Sequence, residues 1–90
     1  MAKYDPLKRH LENLPKSTTR VRMSFREIDA IIGRADPLPA SAWVWNAWWG
    51  NEQSEDRVQA RAWLDAGWMV VEKDQQEGWV EFARRSTERL

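Results

Sequence analysis

Ala62-Trp63-Leu64-Asp65-Ala66-Gly67-Trp68-Met69-Val70 is the stretch whose reading decides the fold. It begins as the end of a helix, which Gly67 closes, and passes directly into a strand. Trp68-Met69-Val70-Val71-Glu72-Lys73 and Trp79-Val80-Glu81-Phe82-Ala83 read as two strands, with the polar run Asp74-Gln75-Gln76-Glu77-Gly78 as the hairpin loop between them. Upstream, Ser54 is the expected cap of this third helix, with Glu55 and Asp56 set against the positive end of its dipole. Val58, Ala62 and Ala66 share one helical face, and Gln59 and Trp63 lie on its flank.

Working further toward the N-terminus, Ser24 and Glu27 form a capping box that opens a second helix. Phe25, Ile28, Ile31 and Ile32 supply its apolar stripe, and Gly33 stands where a left-handed C-terminal cap is expected. Thr18-Thr19-Arg20-Val21-Arg22-Met23 alternates polar and apolar residues, which predicts a short strand with Thr19, Val21 and Met23 on one face. Asp5-Pro6 predicts the start of the first helix, with aspartate as cap and proline preorganised for the first turn. Leu7, Leu11 and Leu14 give it an apolar face before Pro15 ends it.

Residues 34–53 are the part that periodicity leaves open. Pro37 and Pro39 mark a loop, Pro39-Ala40-Ser41-Ala42 suits one helical turn, and Trp43, Val44, Trp45, Trp48 and Trp49 follow before Gly50-Asn51 breaks the run. The order of elements is therefore helix, strand, helix, connector, helix, strand, strand. That predicts a single α+β domain over residues 1–90, winged-helix-like, with residues 84–90 as a charged tail expected to fray. A connector of about twenty residues is long for the turn of such a fold.

Composition bounds the function. The 90 residues suit one core, and 42% hydrophobic with 31% charged residues is the balance of a folded globule. The sequence has no cysteine, which excludes a disulfide scaffold and thiolate metal sites and fits a reducing compartment. No apolar run has the length of a membrane span, and the charged start MAKYDPLKRH lacks the apolar stretch of a secretory signal, so a cytoplasmic protein is expected. The net charge of zero is unevenly distributed: residues 1–34 carry +4, residues 35–81 carry −6 and residues 82–90 carry +2.

Leu38-Pro39-Ala40-Ser41-Ala42, Ala47-Trp48-Trp49-Gly50-Asn51, Gln59, Ala62-Trp63 and Gly67-Trp68 together resemble an uncharacterised Trp-rich bacterial and phage module, a domain of unknown function. The resemblance runs from Tyr4-Asp5-Pro6-Leu7 to Val80-Glu81-Phe82-Ala83-Arg84, with the Trp-Trp-x-Asn segment as its most specific part. It implies a module that occurs alone or beside nuclease domains, and it implies no activity. The chain departs from the pattern at Ile32, where leucine is usual, and at Glu55-Asp56, where a DNA-facing helix would carry neutral or basic residues.

Chemistry-bearing constellations are scarce. His10 is the one histidine, so neither a metal cluster nor a Ser-His-Asp arrangement can be built around it, and the isolated glycines form no phosphate loop. A non-catalytic binding module without cofactor or metal is expected. Seven tryptophans in 90 residues stand out. Trp63, Trp68 and Trp79 fall at core positions, whereas Trp43, Trp45, Trp48 and Trp49 are too many in one short segment to all point inward, which leaves some to stack on a base or anchor a partner.

Asn51 either braces a turn or pins a ligand, and Gln59 has the same two readings. Arg57 and Arg61 share a helical face, either meeting phosphates or guanine edges or pairing on a solvated face with Glu55, Asp56 or Asp65. Arg20 and Arg22 on the first strand, with Arg84 and Arg85 after the last, would make one basic patch if those strands pair. Two partner classes follow. Nucleic acid, DNA above all, would use the arginines Arg57, Arg61, Arg20, Arg22, Arg84 and Arg85 with Trp45, Trp48, Trp49, Asn51 and Gln59. The alternative is a protein partner in a bacterial or phage defence or nuclease system, held by exposed tryptophans and the acidic middle of the chain, with self-association as one form. A third reading is a tryptophan-lined pocket for a nucleobase.

Overall fold

Ser24 lies where the first strand ends and the second helix begins, and its side chain and that of Glu27 exchange hydrogen bonds with each other's backbone amides, a complete capping box. A computed structural model describes residues 3–52 and 58–85 of the chain. It is a mixed α+β domain: α1 (Asp5–Glu12), β1 (Arg20–Ser24), α2 (Phe25–Ile32), α3 (Ala40–Val44), a 3-10 turn (Asn46–Trp49), α4 (Val58–Leu64), β2 (Trp68–Asp74) and β3 (Trp79–Arg84). The three strands form one antiparallel sheet in the order β1-β3-β2, so the last strand is central.

The register sorts side chains to two faces. Val21 opposite Phe82, Met23 opposite Val80, Trp68 opposite Arg84 and Val70 opposite Phe82 form the inner face. Arg20, Arg22, Trp79, Glu81, Ala83 and Met69 form the outer one. Helices cover the inner face. Leu7 and Leu11 of α1, Phe25 and Ile28 of α2, Trp48 and Trp49 of the 3-10 turn, and Ala60, Trp63 and Leu64 of α4 meet Met23, Trp68, Val80 and Phe82 in one buried cluster.

Aromatic rings form the middle of that cluster. Trp49 stacks on Phe25 at 5.0 Å and on Trp63 at 5.6 Å, and Trp63 tilts against Phe82 at 5.6 Å. Three buried indole N–H groups have their acceptors: Trp49 donates to the Ala42 carbonyl at 2.8 Å, Trp63 to Asn51 Oδ1 at 3.0 Å and Trp68 to the Leu11 carbonyl at 3.1 Å.

Several expectations need correction. Asp5 is not the cap of α1; it stands inside the first turn, and Tyr4 precedes the helix without a side-chain cap bond. Gly33 has a positive φ of 114° but an extended ψ of 122°, so the chain leaves α2 stretched out rather than in a left-handed cap. The face of α4 is rotated from the expected one: Val58 is 55% exposed while Gln59 is buried, because the Gln59 amide finds the Trp48 carbonyl inside. Trp79 is only half-buried, since strand alternation sends it to the outer face, where the Arg22 guanidinium covers its ring at 3.7 Å.

The long connector is resolved by content. It holds α3 and the 3-10 turn, and delivers two tryptophans to the core. The expected fraying does not begin at residue 84: Arg84 belongs to β3, and its guanidinium donates to the carbonyls of Thr18, Leu14 and Pro15, tying the strand's end to the segment after α1. The expected cap at Ser54, the residues Glu55 and Asp56, and the rest of the expected tail, residues 86–90, lie outside the described residues. No helix among the described residues is long and apolar enough to cross a membrane.

Candidate functional site

α3 is a single short turn, and it ends because Trp45 is extended (φ −97°, ψ 108°) before the 3-10 turn begins. That change of direction divides the aromatic segment. Trp43, Val44 and Trp45 face outward at 36%, 79% and 49% exposure, and Trp48 and Trp49 turn inward. The outward turn is held in place. Gln75 of the β2–β3 hairpin donates its amide to the carbonyls of Ala42 at 2.9 Å and Trp45 at 3.0 Å. Trp43 sets its ring edge-on against Phe25 at 4.8 Å and lies over Gly78, where a Cβ would come within 3.0 Å of the indole. The result is a braced apolar surface made of one helical turn and one hairpin.

Several of the residues expected to form the site make contacts within the fold. Trp48 and Trp49 are 5% and 1% exposed, which takes them out of any contact surface and out of an open nucleobase pocket. Asn51 spends its carboxamide on β2: it donates to the Val70 carbonyl at 2.8 Å, accepts from the Val70 amide at 2.9 Å, and accepts from the Trp63 indole. This is not the local turn that an amide beside a glycine suggested, since its partners are distant in sequence. The side chain replaces a neighbouring strand at the open edge of the sheet. Gln59, expected outward or flanking, is buried against the Trp48 carbonyl at 3.1 Å.

The arginines do not gather into one patch. Arg20 and Arg22 do lie together on the outer sheet face, but both grip Glu81, at 2.6 Å and 3.0 Å. Their hydrogen bonds hold the Glu81 carboxyl below the usual carboxylate range, so the charge between them stays negative. Arg84 faces inward and lies over the Trp68 ring at 4.5 Å, and Arg85 extends toward the Leu64 carbonyl at 3.4 Å. β-strand alternation separates Arg84 from Arg20 and Arg22 although β1 and β3 pair as the basic-patch reading required. Arg61 is exposed on α4 and faces a cleft against α1 rather than a free helical surface. Arg57 lies outside the described residues. Among the described residues no group of three His, Asp or Glu side chains is placed to hold a metal ion.

Two parts of the exposed surface had no sequence signal. Val44 reads as one more apolar residue in an ambiguous run, and Gln75 as a solvated loop residue, yet together with Trp43 they define the outward turn. Only the density of tryptophans in residues 43–49 pointed to this region. No curated protein and no solved structure matches the chain. The Trp-rich pattern nevertheless has a family: from Tyr4 to the residue after Arg85 the sequence matches it, residues 4–86, and the chain belongs to the family described as a domain of unknown function (DUF7662).

Proposed function

We propose that this chain is a non-catalytic docking module that holds a protein partner on the turn Trp43-Val44-Trp45. The observation that carries the reading is the outward exposure of three consecutive large apolar side chains, 36%, 79% and 49%; the other exposed large apolar residues among those described, Val58, Met69 and Val71, include no two consecutive positions. Contiguous exposed apolar surface of this kind marks interaction sites, and tryptophan is enriched among the residues that dominate binding energy. Gln75 and Phe25 brace the turn, so little ordering cost falls due on binding. Asp74 and Glu77 of the adjoining hairpin and the −6 balance of residues 35–81 favour a partner with a basic rim and disfavour phosphate. A role beside nuclease systems in the bacterial or phage cytoplasm is part of this proposal.

A photo-crosslinking amino acid at Val44, with the same group at exposed Arg26 of α2 as the comparison, tests it in the intact chain. A discrete protein adduct from position 44, lost on Trp45→Ser, is the expected outcome. Equal, diffuse adducts from both positions would overturn it.

A second reading, binding of DNA by a winged-helix-like domain, draws its support from the sheet order β1-β3-β2 with a hairpin following α4. In that arrangement α4 would approach the groove with Arg61 and the hairpin would meet the backbone. Titration of labelled duplex and single-stranded DNA at low and moderate salt, following tryptophan emission, separates the two. Binding that weakens steeply as salt rises would transfer the function to nucleic acid. Absence of binding at low salt leaves the protein-docking reading standing.

A further inference from the structure

α1 and α4 enclose a half-open cleft of about 440 Å³ on the side of the domain away from the sheet's outer face. That volume falls within the roughly 300–1,000 Å³ of small-molecule sites. Its walls are chemically unequal. Tyr4, Val58 and Ala62 give an apolar floor and sides, and the Tyr4 ring is fixed edge-on to Trp48 at 6.0 Å. Around them stand Lys3, Asp5, Lys8, Arg61 and Asp65.

The charges in this set are not all open to a ligand. Lys3 is committed to Asp36 at 3.1 Å and to the Pro37 carbonyl at 2.7 Å. Asp5 and Asp65 each have an interaction of their own. Among the described residues, no carboxylate forms an ion pair with Lys8 or Arg61. Two cations therefore face one apolar cleft from opposite helices.

We propose that this cleft binds a small organic anion with a flat apolar body. Lys8 and Arg61 pair with its charged group, and Tyr4, Val58 and Ala62 pack against its body. A guanidinium fork suits a carboxylate, sulfonate or phosphate, and charge-assisted hydrogen bonds beside an apolar wall are stronger than those in open water. Burial of Tyr4 and the nearby Asp36 carboxylate raise the phenol's pKa, so the Tyr4 side chain stands in the cleft wall as a neutral group. This site is independent of the outward tryptophan turn.

Anilinonaphthalene sulfonate is a suitable probe, with uncharged phenylnaphthylamine as its counterpart. Titration of the intact chain by calorimetry should give saturable binding of the sulfonate. The uncharged compound should bind at least about tenfold more weakly, a factor matching one charge-assisted contact. Arg61→Gln and Lys8→Gln should each weaken the sulfonate by a similar factor, with circular dichroism confirming an unchanged fold. Amide shifts on binding should centre on Tyr4, Lys8, Arg61 and Ala62. Equal affinity for the two compounds, undiminished binding by the doubly substituted protein, shifts confined to Trp43–Trp45, or no binding at all would each overturn the proposal.

Discussion

Trp43 and Trp45 on one side, and Trp48 and Trp49 on the other, are the same residue type within seven positions of chain, and they end in opposite environments. Hydrophobicity cannot account for the difference. Two local features do. The extended backbone at Trp45 stops α3 and starts a tighter turn, so the apolar direction rotates between the pairs. The inward pair also finds what a buried indole needs: Trp49 has a carbonyl acceptor at Ala42 and flat partners in Phe25 and Trp63. Burial of an aromatic is decided by satisfied polar atoms and ring geometry as much as by apolar area.

The contrast can be broken most directly by truncating one tryptophan of each pair. Trp49→Ala should cost about 3–5 kcal/mol in urea unfolding, since it empties the centre of the aromatic stack. That is a large part of the roughly 5–15 kcal/mol that holds a domain of this size together. Trp45→Ala should stay within about 0.5 kcal/mol, as surface substitutions do. Comparable losses at the two positions would mean that Trp45 is a structural residue and that the docking surface lies elsewhere.

Asn51 extends the comparison to a polar side chain that belongs with the inward pair. Asn51→Ala leaves the Trp63 indole N–H and the Val70 amide without their acceptor and should cost about 1–3 kcal/mol. Asn51→Asp retains an acceptor for both donors but sets a second carboxylate oxygen, in place of the amide donor, against the Val70 carbonyl, so it should recover only part of the Asn51→Ala loss. Thermal unfolding of the two variants side by side distinguishes them. Similar stability of Asn51→Ala and the natural protein would show that the strand edge needs no bracket.

These residues also show where sequence reading stops. The capping box at Ser24 and Glu27, the glycine after α4 and the two strands around the hairpin were legible, because caps, turn residues and β-branched runs act locally. Asn51 and Gln59 were visible as polar residues in the right region, but their partners are the Val70 backbone and the Trp48 carbonyl, 19 and 11 positions away. A single sequence carries no mark of such a pairing. Arg20, Arg22 and Arg84 failed for another reason. Their strands pair as the basic-patch reading required, yet one register position decides which face an arginine meets, and Glu81 sits between the two that share a face.

Gly78 supports the outward pair as Asn51 supports the inward one. Its φ of 85° already disfavours a side chain, and a Cβ there would press on Trp43. Gly78→Ala should cost about 1–2 kcal/mol through the left-handed backbone and shift the Trp43 emission. A Trp43→Ala background should retain the backbone cost and abolish the spectral change. Loss of both in that background would trace the whole effect to the ring contact.

The smallest effect belongs to the outer sheet face, where Glu81 is held between Arg20 and Arg22. Its carboxyl is lowered in the folded state by hydrogen bonds from Arg20 and then Arg22, whereas in the unfolded chain it titrates in the ordinary carboxylate range. The folded protein therefore releases this proton more readily than the unfolded one does. The resulting stabilisation is present above the unfolded value and is lost as pH falls through the lowered folded value. Glu81→Gln should flatten that part of the acid limb and lower stability near neutrality by the same small amount, small because both arginines stay more than half exposed and solvated. The neutral amide of this variant also separates electrostatics from shape: if DNA affinity rises in Glu81→Gln while the Trp45-dependent adduct persists, the two arginines form a phosphate-contacting surface distinct from the apolar turn. If DNA affinity does not change in Glu81→Gln, the two arginines make no phosphate contact that Glu81 controls, and the outer face acts as a closed ion-pair network.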